Sequence, residues 1–155
     1  DVTQLNIAPF AGDLEELLPF FHRSTGVDAV ESVRHLIAVE RVRGTRYYTA
    51  SEEGRVVGMI GFSLNPAGEA NALEPPEVID IAVLPEYRRQ GVGRALMDVA
   101  VAEVRAAGYR RLWLYADGND VAVLAFYRRL GFRLISAVPD WFGDGTVKAI
   151  MRRDL

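Results

Sequence analysis

The segment Arg88-Arg89-Gln90-Gly91-Val92-Gly93-Arg94-Ala95 places arginines and glycines at the end of one element and the start of another. Before it runs an apolar, β-branched stretch, Glu77 to Leu84; from Val92 onward the pattern is that of an amphipathic helix. A helix N-terminus carries unpaired N–H groups and the positive end of the peptide dipole, so it binds anions. Gly91 and Gly93 lack the Cβ atoms that would hold a ligand away, and each costs a helix about 1 kcal/mol against alanine. The predicted ligand is a pyrophosphate. Two carriers fit poorly. The P-loop needs Gly-x4-Gly-Lys-Ser/Thr, which is absent. The dinucleotide fingerprint needs a small residue where Leu96 stands, and an acidic residue about 20 positions on, where Arg110-Arg111-Leu112 stands.

The elements that must position this turn follow from periodicity. Val2 to Ile7 alternates as a strand. Asp13 predicts an N-cap ahead of Leu14, Leu17, Leu18 and Phe21 at helical spacing, with Pro19 limiting or bending that helix. Gly26 breaks it, and Asp28 predicts a second helix to about Glu40. Arg46–Ser51 and Arg55–Leu64 flank Glu52-Glu53-Gly54 as a hairpin. Asn65 to Pro76 reads as a loop, and Glu77 to Leu84 as a central strand, apolar at nearly every position. Val92, Ala95, Leu96, Val99, Ala102 and Ala106 form one helical stripe ended by Gly108. Arg111–Ala116 reads as another buried strand, 117–120 as a turn, and Val121–Leu130 as a helix stopped by Gly131. Phe132–Val138 and Thr146–Arg152 are the last strands. The expectation is one α/β domain over residues 1–155, with a mixed sheet.

Composition narrows the partners. The 155 residues are 50% hydrophobic and 25% charged, with net charge −3, which suits a globule and disfavours nucleic acid. No cysteine is present, which rules out disulfides, Cys-ligated zinc and a thiol nucleophile. His22 and His35 lack metal-ligand spacing, so no metal is expected. No apolar run reaches membrane-spanning length and no signal peptide is evident, so a cytoplasmic setting away from membranes is expected. The chain begins at Asp1 rather than Met, as a trimmed chain would.

The phosphate turn resembles that of the GNAT superfamily of acetyl-coenzyme A-dependent N-acetyltransferases. The superfamily pattern Arg/Gln-x-x-Gly-x-Gly/Ala reads here Arg88-Arg89-Gln90-Gly91-Val92-Gly93. Its second signal, an Asn-bearing turn, a helix with Tyr and then Gly-Phe, reads Asn119 to Phe132. Both, in order, cover essentially the whole chain. The resemblance implies a mostly antiparallel sheet whose fourth and fifth strands splay apart, with flanking helices and acetyl-CoA as cosubstrate. It implies that Ile81, Ala82 and Val83 receive the pantetheine arm, that Arg88 to Ala95 hold the pyrophosphate, and that Asn119 and Phe126 touch the cofactor.

The resemblance also assigns roles. Tyr127 matches the tyrosine that faces the coenzyme sulfur, where a phenol protonates the departing thiolate; the competing reading is a core tyrosine with a satisfied hydroxyl. Glu77, fourteen residues before Gly91, stands where histone-type members carry their base; a solvated strand-end carboxylate is the alternative. Asp80, costly within an apolar strand, is a second candidate base, and water a third. Ribosomal-protein-type members carry a Glu where this chain has Tyr115, a departure from that mechanism. The family's Asn position falls on Asp120, so either the turn is shifted by one residue, or Asp120 caps the helix and Asn119 meets the cofactor.

The resemblance implies an acceptor site built from Phe20 to Val30 and from Pro139 to Gly145, with Trp141 and Phe142 as walls or as core closure. Asp117, Asp120, Asp140 and Asp144 either steer a cationic amine or form turns. The expected reaction is acetyl transfer to a primary amine, on a small molecule or a protein N-terminus, by direct attack. A non-catalytic acyl-CoA sensor and a nucleotide-binding protein are the competing readings. Edge strands near the C-terminus would permit a homodimer.

Overall fold

The computed structural model describes residues 5–25, 30, 31, 33, 34, 45–64, 76–140 and 143–155. Strand β1 is Asn6–Pro9, with Asn6 paired to Ser51 and Pro9 to Tyr48; Val2 to Gln4 of the expected first strand lie outside the described residues. Proline is tolerated there because β1 is an edge strand. Leu14–Leu17 form a 3₁₀ turn and Leu18–Thr25 the helix α1. Asp13 precedes the 3₁₀ turn without a side-chain capping bond. Pro19 falls in the first turn of α1, where its missing N–H costs nothing, so it starts the helix instead of bending it. Of the second predicted helix, Val30, Glu31, Val33 and Arg34 are helical, with Val33 buried; Gly26, Asp28 and His35 lie outside the described residues.

The hairpin is present as β2 (Thr45–Glu52) and β3 (Arg55–Ser63). The chain continues through β4 (Glu77–Val83), α2 (Val92–Ala106), β5 (Arg111–Asp117), α3 (Val121–Arg129), β6 (Arg133–Pro139) and β7 (Val147–Asp154). The seven strands form one sheet in the order β1-β2-β3-β4-β5-β7-β6. Every neighbouring pair is antiparallel except β4 and β5. That pair meets in register only at Glu77↔Trp113, and Trp113 N–H also donates to the Pro76 carbonyl at 3.1 Å. Beyond that point the strands part, as the resemblance implies.

Cross-strand partners share a face of the sheet. A Cβ on Gly58 would meet Val92 at 2.9 Å and Leu96 at 3.0 Å, so Gly58 faces α2 and lets the helix start lie against the sheet. By alternation Ile60 and Phe62 share that face, and Met59, Gly61 and Ser63 the other. The buried residues of α2 are Val92, Gly93, Leu96, Met97, Ala100, Val101 and Val104. The predicted stripe was rotated: Ala102 and Ala106 are exposed, because Met97, Ala100 and Val104 supply the face that meets the sheet. Two strands are less buried than their apolar pattern suggests. On β5, Leu112 and Leu114 are buried while Trp113 and Tyr115 are half-exposed. On β4, Ile79 to Ala82 are only partly buried, although the strand is fourth of seven, because β5 leans away. Among the described residues no helix is long and apolar enough to cross a membrane.

Candidate functional site

The turn from β4 into α2 is built by backbone strain and by arginine. Arg89 has φ +63° and Gly91 φ +85°, so the chain twice enters the left-handed region within three residues. Gly91 suits that conformation, and a Cβ there would touch nothing within 4 Å. The first helical bond runs from Ala95 N–H to the Gly91 carbonyl, so the N–H groups of Val92, Gly93 and Arg94 precede the ladder. Alternating conformations of this kind present successive N–H groups to one concavity, an anion nest at the positive end of a helix. Gly93 has a packing reason as well. A Cβ on it would lie 3.1 Å and 3.2 Å from two ring atoms of Phe126, so Gly93 is small because α3 packs there.

The arginines divide. Arg88 donates from Nε to the Val83 carbonyl at 3.1 Å and from Nη2 to the Ser24 carbonyl at 2.8 Å. It is therefore a strut tying the end of β4 to the end of α1, where the sequence suggested an arm reaching to phosphate. Arg94 donates to the Arg129 carbonyl at 2.6 Å, satisfying the C-terminal end of α3. The Gln90 amide donates to the Glu86 carbonyl at 2.8 Å within the turn. The Glu86 carboxylate accepts from both Arg23 and Arg55, and Tyr87 donates to Glu52 at 2.8 Å. Arg89 is exposed and takes part in none of these contacts. The nest and Arg89 face outward; Arg88, Gln90 and Arg94 hold the nest in shape.

The gap between β4 and β5 carries the groups with chemistry. On β4 the register with β3 slips between Gly61 and Phe62: Gly61 pairs with Asp80 and Phe62 with Val78, leaving Ile79 as the extra residue of a bulge. In a regular strand Glu77 and Asp80, three apart, would point to opposite faces. The bulge brings both to the face opposite α2, because Glu77 pairs with Ser63 and Asp80 with Gly61. Trp113 shares that face as the partner of Glu77, and Tyr115 follows by alternation. Lys148 Nζ sits 3.4 Å from the centre of the Tyr115 ring, and the Arg152 guanidinium carbon 5.4 Å from that of Trp113. These cation–aromatic pairs escaped the sequence reading, although the alternation Leu112-Trp113-Leu114-Tyr115 was a signal for them.

Tyr127 enters the same region from α3. Its ring is partly buried, 5.3 Å from that of Phe126 and 6.0 Å from that of Phe132. Burial pushes its phenol well above the ordinary value, and the negative charge of Asp80 pushes it further the same way. The phenol is thus fully protonated at neutral pH and lies within electrostatic reach of Asp80. Glu77 is buried where β4 and β5 still touch. Ile81, Ala82 and Val83 follow Asp80 along the strand, on the side that β5 has left.

The aspartates resolve as turn builders. Asp120 accepts from Val123 N–H at 3.1 Å as the N-cap of α3, which is the capping alternative; Asn119 stays exposed in the turn. Asp117 accepts from Asn119 N–H, and Asp140 from Gly145 N–H. Asp144 accepts from the backbone and hydroxyl of Thr146, the hydroxyl foremost, which holds its carboxyl below the ordinary range. Trp141 and Phe142 lie outside the described residues. Among the described residues no cluster of three metal-ligating side chains occurs.

The sequence model of the Acetyltransferase (GNAT) family matches residues 13–132. The [ribosomal protein bS18]-alanine N-acetyltransferase of Escherichia coli (strain K12) is 40% identical over 92 residues, 58% of this chain and 57% of that protein. A mycothiol acetyltransferase of Propionibacterium freudenreichii subsp. shermanii is 27% identical over 115 residues, 74% of this chain and 36% of that protein. The chain thus spans about a third to somewhat over half the length of these relatives. Among solved structures, a GNAT-family acetyltransferase from Desulfovibrio desulfuricans superposes with TM-score 0.77 at 24% identity, covering 97% of this chain and 98% of that one. A GNAT-family acetyltransferase from Elizabethkingia anophelis, solved with acetyl-CoA bound, superposes with TM-score 0.70 at 17% identity, over 99% of both chains. At these identities the structures speak to the fold.

Proposed function

The chain belongs to the GNAT acetyltransferase family, and from that premise we propose that it transfers an acetyl group from acetyl-CoA to a primary amine by direct attack. The observation that carries the reading is the parting of β4 and β5 beside Tyr127 and above the nest at the start of α2. A thioester arm laid along Ile81, Ala82 and Val83 would meet open strand-edge groups. Its pyrophosphate would meet the N–H groups of Val92, Gly93 and Arg94 and the Arg89 side chain, with Arg88, Gln90 and Arg94 bracing the turn and the Ala95 N–H committed to the Gly91 carbonyl. Asn119 and Phe126 would border the cofactor, Asn119 from the turn between β5 and α3 and Phe126 from α3. Much of the rate gain comes from holding thioester and amine together.

The roles follow from the chemistry. The acceptor ammonium first loses a proton to the Glu77 carboxylate, directly or through water. The amine lone pair then forms the C–N bond at the thioester carbonyl. As the tetrahedral intermediate collapses, the C–S bond breaks with its electron pair moving to sulfur, and Tyr127 supplies the thiol proton. Loss of the second N–H proton returns the phenol to its protonated form. The products are the amide, coenzyme A and one proton. The acceptor is an N-terminal amine or a small amine, in line with the ribosomal-protein-alanine and mycothiol acetyltransferases among the relatives. Cytoplasmic residence and a homodimer belong to the same proposal. For the dimer, the support is β6, an outer strand of the sheet, where Leu134 and Ile135 are 40% and 41% exposed.

Calorimetric titration with acetyl-CoA, with ATP and NAD as controls, tests the cofactor assignment. Selective binding is expected; preference for ATP or NAD would overturn it. Release of coenzyme A is then read with an aromatic disulfide reagent, which meets no protein thiol in this cysteine-free chain. Tyr127→Phe is expected to keep acetyl-CoA binding while losing turnover about 10²-fold or more. Binding without turnover in the unaltered protein, across amine acceptors, would favour the sensor.

A further inference from the structure

The start of α2 and the end of α3 meet through two neighbouring residues of the nest. Gly93 lies against the Phe126 ring, where a Cβ would stand 3.1 Å from the nearest ring atom. One residue on, Arg94 donates from Nη2 to the Arg129 carbonyl at 2.6 Å. Tyr127 stands between these two points of α3, its ring 5.3 Å from that of Phe126. The last carbonyls of a helix find no partner within it. Here the Tyr127 carbonyl accepts from the N–H groups of Leu130 and Phe132, both at 3.0 Å, and the Arg128 carbonyl from Gly131 N–H. The next two are met by guanidiniums from different directions: that of Arg129 by Arg94 of α2, and that of Leu130 by Arg153 of β7 at 2.9 Å. Cations there also suit the negative end of the helix dipole. The turn of α3 that carries Tyr127 is thus clamped between α2 and β7. Arg94 has a second place in the site, since its main-chain N–H is among those that precede the helical ladder in the nest. One residue gives its backbone to the nest and its side chain to the helix of the phenol.

We infer that Arg94 is a positioning residue for acetyl transfer, holding the Tyr127 phenol in register with the nest. Pyrophosphate and thioester sulfur are the two ends of one arm, so a cofactor gripped at the nest delivers its sulfur to a place that the nest determines. The phenol must stand at that place when the C–S bond breaks, and a different helix carries it. The Arg94 side chain joins the two helices beside both groups and keeps their separation. A displacement of about 1 Å at a reacting group costs about 10²-fold in rate. The bond itself is exposed, so its weight in stability is small, and what it fixes is geometry. Arg128 is exposed at the same end of α3, and its side chain takes part in none of these contacts, which makes it the control for charge without the bond.

The inference rests on the acetyl-transfer reading, and its test keeps the two apart. Acetyl-CoA is titrated into the unaltered protein, Arg94→Ala, Arg94→Lys and Arg128→Ala. Coenzyme A release is then followed with an alanine-initiated tetrapeptide and with free primary amines as acceptors. Arg94→Ala is expected to bind acetyl-CoA within about threefold of the unaltered protein, because the nest N–H groups remain, and to lose kcat about 10- to 100-fold. Arg94→Lys still brings one donor to a single carbonyl and is expected to regain most of the loss, while Arg128→Ala keeps kcat. In a Tyr127→Phe background, Arg94→Ala is expected to lower kcat by less than about twofold further, as for residues that act as one unit. Residue-resolved amide exchange reads the clamp without turnover. The Leu130 and Phe132 N–H groups, which donate to the Tyr127 carbonyl, are expected to exchange about tenfold faster in Arg94→Ala and unchanged in Arg128→Ala. An equal kcat loss in both backgrounds, unaltered exchange in Arg94→Ala, or weakened acetyl-CoA binding with kcat kept overturns the positioning role. Full turnover in Tyr127→Phe, or no coenzyme A release from the unaltered protein with any of these acceptors, would instead overturn the proposed function.

Discussion

Replacing Arg88 by alanine should cost stability before it costs cofactor affinity. The guanidinium makes two bonds to main-chain carbonyls, at 3.1 Å to Val83 and 2.8 Å to Ser24. Hydrogen bonds to a charged group contribute about 1.5–3 kcal/mol when buried. Arg88 is exposed as a whole residue, so solvent screening reduces each to about 1 kcal/mol. The sum, about 2 kcal/mol, corresponds to a fall in Tm of about 4–8 °C for a domain of this size. Lysine keeps the charge but not the planar fork that spans two carbonyls, so Arg88→Lys should recover less than half of the loss. Arg89→Ala is the matching control: it should leave Tm within about 1 °C and weaken acetyl-CoA binding about tenfold through a lost phosphate contact. Calorimetric melting and acetyl-CoA titration on the three variants read both quantities. An unchanged Tm in Arg88→Ala together with weakened acetyl-CoA binding would refute the strut and return Arg88 to the phosphate.

Three other outcomes are expected. Tyr127 has a raised folded-state pKa, so the folded protein holds its proton above the ordinary phenol value of 10.0 while the unfolded chain releases it. Stability should therefore fall by up to about 1.4 kcal/mol per pH unit above that value, and Tyr127→Phe should lessen the slope in alkaline denaturation series. Gly93→Ala gains helix propensity but drives a methyl against the Phe126 ring at 3.1 Å; the expectation is a stability change within about 1–2 kcal/mol and a larger loss of turnover, as Phe126 shifts its neighbour Tyr127. If turnover held while Tm dropped, the Phe126 contact would be purely structural. For the homodimer, Ser136→Cys on the exposed edge of β6 should form a disulfide-linked dimer on mild oxidation, whereas Asn6→Cys on the opposite edge should not. Equal crosslinking of the two would count against β6 as the interface.

Much of this molecule is readable from local pattern. The hairpin, the β4–turn–α2 unit and the Asp120-capped α3 are specified by residues close in sequence, so turn chemistry and periodicity suffice to find them. The two glycines and the Tyr127 motif pointed to an acyl-CoA protein, and the family match agrees. Errors came where long-range packing decides. Which stripe of α2 is buried depends on where Gly58 and Phe126 lie, and neither is near it in the chain. The half-exposure of β4 and β5 depends on a gap between strands that no stretch of sequence contains.

Residue type determined the chemistry on offer: a phenol, two carboxylates, a glycine-bearing helix start and no thiol. Tertiary structure decided how each group is used. Charge alone made Arg88, Arg89 and Arg94 equivalent, but the backbone carbonyls of Val83, Ser24 and Arg129 claim two of them and leave Arg89 outward. Alternation alone made Glu77 and Asp80 point apart, but one unpaired residue in the β3–β4 register turns them to the same face. A side chain's identity is local, whereas its direction and its partners are set by contacts between segments that only the folded chain brings together.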